Sequence, residues 1–254
     1  MKMKHTLKYI FSFLIVQVSF TNQAQIAVVK DSISVKSDSI KPKTERYGIR
    51  FGVDLFKLTR SFYEKDYQGI ELVGDYKLTR KHYIAAEIGS ENKTVNDDRV
   101  NFTTNGTYLK VGFDYNAYEN WIGMENMVYV GLRYGVSSFS QTLNSYKIYT
   151  PYPFSNQNAT VISGEKFNGL SAQWVEVVAG VKAKVFNNIY VGFSFRINKI
   201  VSNKVPQEFD NLYIPGFNRT YNGDFGVGFN YTVSYFLPLY KTTLKVKTKA
   251  AKKK

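Results

Sequence analysis

From Tyr47 to Leu237 apolar residues recur at every second position, and this constrains the chain more than any other feature. A period of two belongs to a strand with two unlike faces, whereas a helix would repeat every three or four residues. The last segment shows it best. Phe225, Val227, Phe229, Tyr231, Val233, Tyr235 and Leu237 share one face, and Gly226, Gly228, Asn230, Thr232 and Ser234 share the other. Similar segments fall at about 47–57, 68–79, 82–90, 107–118, 126–139, 170–185 and 189–199, so eight strands are predicted. Several run 10–15 residues, against about 5–6 in an ordinary globular strand and about 9–11 in a tilted strand crossing a bilayer.

The connections alternate in length. Arg80-Lys81, about seven residues around Asn120-Trp121, and Phe186-Asn187-Asn188 make the short ones. The long ones lie near Ser61 to Tyr67, from Glu91, from Ser140 to Asn168 and from Ile200 onward. Short turns at one end and long loops at the other are the habit of an outer-membrane barrel with periplasmic termini.

Alternation alone also fits a soluble barrel with its apolar face turned inward, so the composition of the faces decides. The apolar faces hold Ile49, Phe51, Val53 and Leu55; Leu109, Val111 and Phe113; Val128, Val130 and Leu132; and Phe193, Phe195 and Ile197, with no charge in mid-strand. The opposite faces carry Arg50, Asp54, Glu71, Asp75, Lys77, Glu87, Lys110, Asp114, Arg133, Glu176, Lys182, Lys184 and Arg196. Near-balance of sign is what a closed, hydrogen-bonded lumen requires, because an unpaired charge there is costly. Eleven of the twelve glycines in these segments lie on the charged face, where an eight-stranded barrel has little room. Tyrosines and Trp121 near segment ends suit interfacial aromatic girdles.

The formal charge of +14 suggests nucleic acid until it is located. Lys2, Lys4 and Lys8, the basic excess of residues 26–46, and seven lysines after Tyr240 account for nearly all of it. The body at 47–240 is close to neutral, which argues against nucleic acid as a partner. Residues 1–24 read as a cleaved signal peptide, with basic residues, an apolar run from Tyr9 to Phe20 too short to span a bilayer, and a polar close. Residues 25–46 read as a flexible periplasmic linker too polar to offset its ordering entropy. Within it Asp31-Ser32-Ile33 and Asp38-Ser39-Ile40 look like an O-glycosylation acceptor or plain linker sequence. Residues 241–254 read as a basic periplasmic tail suited to anionic lipid or an acidic partner.

Residues 47–89, with Tyr47-Gly48-Ile49-Arg50-Phe51-Gly52-Val53-Asp54, Gly69-Ile70-Glu71-Leu72-Val73-Gly74-Asp75-Tyr76 and Ala86-Glu87-Ile88-Gly89, resemble the opening of an outer-membrane β-barrel family of Bacteroidota known as a domain of unknown function. The likeness extends to about Tyr240. It implies fold and location, and it brings no activity and no site residues. In strand number the chain is similar to small barrels of the OmpA and OmpX type, an analogy of fold alone.

Little here points to chemistry. Zero cysteines exclude a disulfide scaffold, a thiolate metal site and a cysteine nucleophile. After the signal segment His82 is the only histidine, and it sits at a short turn without an acid–base partner. The lumenal carboxylates are interleaved with lysine and arginine, which favours ion pairs over glycoside chemistry. Asn96-Asp97-Asp98 lacks the spaced ligands of a calcium loop. No cofactor motif is present. Tyr146, Tyr149, Tyr152 and Phe154, with Tyr213 and Phe217 in the next long loop, suit either a binding surface or a loop folded over the barrel mouth.

The sequence thus predicts an all-β chain, an eight-stranded antiparallel up-and-down transmembrane β-barrel over residues 47–240, in contact with outer-membrane lipid. Tyr231, Val233, Tyr235 and Phe236 are candidates for an internal signal to the barrel assembly machinery. The expected role is non-enzymatic, structural or surface-interacting, with no metal or cofactor. A soluble barrel carrying an apolar ligand and a narrow pore are the alternatives.

Overall fold

The computed structural model describes residues 43–120, 125–148, 160–206, 210–218 and 224–244. The signal segment, most of the linker, Trp121, Tyr149, Tyr152, Phe154 and the last ten residues lie outside the described residues. Among those described the chain forms β1 (Lys43–Asp54), α1 (Leu55–Tyr63), β2 (Tyr67–Lys77), β3 (His82–Asn96) and β4 (Val100–Asn116). It continues with β5 (Met127–Lys147), β6 (Thr160–Phe186), β7 (Ile189–Lys204) and β8 (Phe225–Leu244). Each strand pairs antiparallel with the next, and β1 pairs with β8 from Lys43↔Leu244 to Asp54↔Thr232, closing an up-and-down barrel. Pro238 stands opposite Gly48 at the bulge in this seam, where a missing N–H is tolerated.

The faces lie as the alternation predicts. Along β4, Leu109, Val111, Phe113 and Tyr115 point outward while Tyr108, Lys110, Asp114 and Asn116 are buried inside. On β8 the outward positions from Phe225 to Leu237 cover about 40 Å of strand at about 3.3 Å per residue. That is enough for a tilted strand to cross an apolar band about 25 Å tall. Tyr47, stacked on Tyr240 at 5.2 Å, joins Tyr115 and Tyr235 along the terminal edge of this band.

The strands differ from expectation mainly at their loop ends. The segment from Glu91 is not a sixteen-residue loop, since β3 and β4 pair up to Asn96↔Asn101. Much of Ser140–Asn168 is likewise the β5–β6 hairpin, paired to Lys147↔Thr160. Above the apolar band the outward residues become Ser90, Asn92 and Thr94 on β3 and Thr107, Asn105 and Thr103 on β4. Both faces are then polar, so the hydrophobic alternation stops while the backbone ladder goes on. The same cause moves the lower boundaries. β1 takes in Lys43–Arg46 from the segment read as linker, and β8 takes in Lys241–Leu244 from the segment read as tail.

The first segment ends early. β1 stops at Asp54, and Leu55 and Lys57, expected in the strand, begin α1. Asp54 caps that helix, accepting a hydrogen bond from the Phe56 N–H at 2.9 Å. The helix has no β-branched run, and at its other end the Glu64 N–H donates to the Arg60 carbonyl at 2.9 Å.

Candidate functional site

The lumen holds the charges, in a central network and a second group toward the terminal end. In its middle the Arg196 guanidinium donates to both oxygens of Glu87 at 2.5 and 3.0 Å and to Glu176 at 3.1 Å. Lys110 stands 3.3–3.6 Å from Glu176, Glu87 and Glu71, and Arg133 stands 2.7 Å from Asp114 and 3.5 Å from Glu87. Asn230 donates to Asp54 at 2.5 Å and to Glu71 at 2.9 Å. Toward the terminal end Asp75 accepts from Arg50 at 2.7 Å and Lys182 at 2.6 Å, and Arg50 lies between the rings of Tyr83 and Tyr190. Low surrounding polarity strengthens each contact and makes the loss of any one partner costly.

Two of the expected network residues sit at its rim. Among the described residues the carboxylate that Lys184 reaches is Glu125, at 3.8 Å. Lys77 has no carboxylate within ion-pair distance among the described residues; it donates to the Arg46 carbonyl at 3.4 Å and lies 4.8 Å over Tyr47. Both belong to the terminal end, where a cavity of about 320 Å³ is lined by Arg46, Arg50, Lys77, Glu125 and Tyr190 among others. Burial pushes the Glu125 carboxyl up, but hydrogen bonds from Arg46 and the Tyr190 hydroxyl outweigh it and hold it below the usual range. Phe236 faces this cavity rather than the apolar band.

Sequence reasoning missed Lys57 and Glu91, which close the loop end of the network. Lys57 Nζ lies 2.5 Å from Glu91 and 3.1 Å from Glu71 and bonds the Tyr108 hydroxyl at 2.5 Å. There was a signal. Strand parity sets Lys57 on the same outward face as Ile49, Phe51 and Val53, and a lysine on a lipid-facing strand is a conflict that the turn into α1 removes. Glu91 keeps the lumenal parity of Glu87 but falls where the hydrophobic alternation has ended.

Tyr213 and Phe217 are not surface contacts. Their loop folds into the barrel mouth, where Phe217 and Ile214 are fully buried against Trp174, Tyr108 and Leu170. The Tyr213 hydroxyl donates to Glu91 at 2.7 Å, and the Gly216 N–H donates to the same carboxylate at 3.2 Å. Burial and that carboxylate push the Tyr213 phenol well up, keeping it a donor. Gly216 has φ +83°, and a Cβ there would meet the Tyr108 ring at 2.5 Å, so this approach needs glycine. Tyr146 remains outside, near the tip of the β5–β6 hairpin between Val100 and Val161.

At the loop end of the barrel, Glu64 follows α1 and binds Arg60 and Lys93. The hydrogen bond from Arg60 is the main cause that holds its carboxyl down at about 2. Since that lies below the unfolded value, the stability Glu64 contributes is complete above the ordinary carboxylate range and is lost as pH falls toward about 2. Carbon chemical shifts of α1 in nanodiscs are expected to stay helical from pH 7 to about 5 and to drift toward coil between about 4 and 2. Glu64→Gln should remove that drift; a drift that persists in the variant assigns it to another group.

Among the described residues the arrangement offers no free acid–base pair. Each lumenal carboxylate faces a cation or a hydrogen-bond donor, and His82 is an exposed turn residue bonded to Thr79 at 2.9 Å and set edge-on to Tyr115. Among the described residues no three histidine or acidic side chains converge as metal ligands.

Residues 6–242 match the family model described as "Domain of unknown function (DUF6048)". No curated protein matches the chain. Among solved structures it is similar to Ail, the attachment invasion locus protein of Yersinia pestis, at 9% identity over 80% of this chain and 100% of that one, with a TM-score of 0.37. It is also similar to Acinetobacter baumannii CarO2, at 11% identity over 76% and 99%, with a TM-score of 0.33. Likeness at that level carries nothing about function, which rests on the chain's own residues.

Proposed function

We propose, from the premise that this chain belongs to the DUF6048 family, that it is an outer-membrane β-barrel with a non-enzymatic surface-interaction role. The observation that carries this reading is the inversion of the faces. Phe51, Phe113 and Val130 are 52–54% exposed around the outside, while Glu71, Asp114 and Glu176 inside are fully buried. A soluble carrier of an apolar ligand needs the reverse. Exposed apolar surface on this scale needs a covering, and a closed barrel of strands is one of the two forms that can cross lipid. The expected Bacteroidota source and the export of residues 1–24 belong to the same proposal.

The termini and short turns then face the periplasm, and the long β3–β6 hairpins stand outside the cell. At the top of that wall Thr160–Leu170 pairs with β5, while β7 ends opposite Ser171. Among the described residues the far edge of that stretch has no partner strand, and such an edge suits pairing with an extended segment of another chain. The middle of the lumen is closely packed: the cavity there is about 20 Å³, lined by Arg50, Asp75, Glu87, Arg133, Lys182 and Arg196 among others. This disfavours the narrow pore.

Full-length protein extracted from outer membranes is expected to change mobility on a denaturing gel when boiled, and to give no steady conductance in planar bilayers. A water-soluble protein would sink the membrane reading. Steady channels would replace the closed barrel with the pore.

A further inference from the structure

The barrel wall is incomplete near its loop end. β1 stops at Asp54, opposite Thr232, but β2 and β8 both continue upward. Tyr67–Glu71 pair only with β3 and Phe225–Tyr231 only with β7, so for that height the seam between β2 and β8 has no strand. Helix α1 stands in the gap, packed on both flanks. Ser61 takes the place of a strand partner for β2: its Oγ accepts from the Gly69 N–H at 2.9 Å and donates to the Gly69 carbonyl at 3.3 Å. Phe56 leans on the outward rings of Phe229, at 4.6 Å, and Tyr231, at 6.1 Å. Lys57, one residue on, points into the lumen.

A cavity of about 180 Å³ opens beside the helix, and its lining joins the two sides of the wall. Phe56, Val227 and Phe229 come from the apolar band, while Lys57, Arg60, Lys110 and Arg196 supply four cations and no carboxylate lines it. Among the described residues two lining side chains hold buried polar atoms without a hydrogen-bond partner, Arg196 Nε and Asn198 Oδ1. A 150 Å³ apolar cavity admits a group of about benzene's size, so this one has room for a short hydrocarbon segment and not a whole chain. The height is that of the outer headgroup boundary, where the outward residues of β7 change from Phe195 and Ile197 to Lys199.

We propose that this gap is a lateral lipid site, which takes an acyl segment of an anionic outer-leaflet lipid against Phe56, Val227 and Phe229 and its phosphate at Arg60. Arg60 is the half-buried cation of the set, stacked 4.0 Å over Tyr67 and paired at 2.5 Å with Glu64, a partly exposed carboxylate outside the cavity lining, while Lys57, Lys110 and Arg196 lie deeper and are occupied by the buried Glu71, Glu87, Glu91 and Glu176. Among the described residues the apolar slot is in the wall. The inference rests on the membrane reading above.

The test uses full-length barrel in detergent, native mass spectrometry, and three probes: phosphatidylglycerol, phosphatidylcholine and inorganic phosphate. Phosphatidylglycerol adducts should be retained about fivefold over phosphatidylcholine, and Arg60→Gln should erase that preference. Gly228 lines the cavity, and among the described residues a Cβ there meets nothing closer than the Asn218 amide nitrogen at 3.8 Å, so Gly228→Leu adds bulk to the cavity from an unobstructed first atom. That variant should lower lipid retention about tenfold with the heat-dependent gel shift intact. Leu109→Ala, on the outward face of β4, should change neither. Equal retention of the two lipids overturns the site, and so does lipid binding that survives Gly228→Leu. Inorganic phosphate bound as well as the lipid would reduce it to an anion site without a chain. A protein that stays soluble without detergent overturns the membrane reading and this inference together; an inserted barrel without lipid preference overturns this one alone.

Discussion

Arg196→Met should destabilise the folded barrel by about 3 kcal/mol, the lower part of the range of about 3–5 for breaking a buried ion pair. Arg196 is 4% exposed and serves two carboxylates, so its loss strands charge on Glu87 and Glu176. The cost stays near the lower bound because the stranded groups keep company. Glu87 still faces Lys110 and Arg133 at 3.5 Å, and Glu176 still faces Lys110 at 3.3 Å. Urea titration of the protein in lipid, read by the gel shift, measures it. Removing Glu87 as well should cost less than the sum of the single changes, because neighbours in one network are not additive. A loss below about 1 kcal/mol would mean that water, rather than side chains, solvates these charges.

Leu132→Arg tests the outer face. Leu132 sits in the middle of the outward row on β5, opposite Phe113 and Val177, and is 46% exposed. In a bilayer, arginine at that depth costs about 2–4 kcal/mol. On a soluble barrel the same change at an exposed leucine would cost almost nothing, since it places a charge in water. The size of the loss therefore separates the two settings by itself. Arg133, the next residue, is 4% exposed and bound to Asp114 and Glu87, so Arg133→Leu should be harmful for the opposite reason. Together the pair reads the pleat: one position rejects charge and its neighbour requires it.

The same alternation shows how much was legible in advance. Wherever one side of a strand meets an apolar band and the other a crowded lumen, each residue's face follows from its parity. Arg50, Asp75, Glu87 and Arg196 could be placed inward without coordinates. The sign balance followed as well, since a closed lumen tolerates charge only in compensating pairs. Beyond the band that contrast disappears. Glu91 and the polar rungs Asn92 to Asn96 belong to strand β3 because their backbone groups continue a ladder begun below, and nothing in their hydropathy says so.

What tertiary structure alone decided is concentrated at the loop end. The inward fold of residues 210–218 depends on space above Trp174 and Tyr108 and on a carboxylate, Glu91, waiting for Tyr213 and Gly216. No local spacing encodes that meeting between residues more than a hundred apart. The turn of the chain into α1 depends on where β1 meets Thr232 and loses contact with β2, which is a property of the closed ring and not of the segment. Hence the sequence by itself determined a strand barrel, its two faces and its charged interior, because a period of two is a local property. The closure of its mouth and the gap in its wall were left to the fold, because both are made by residues that only ring closure brings together.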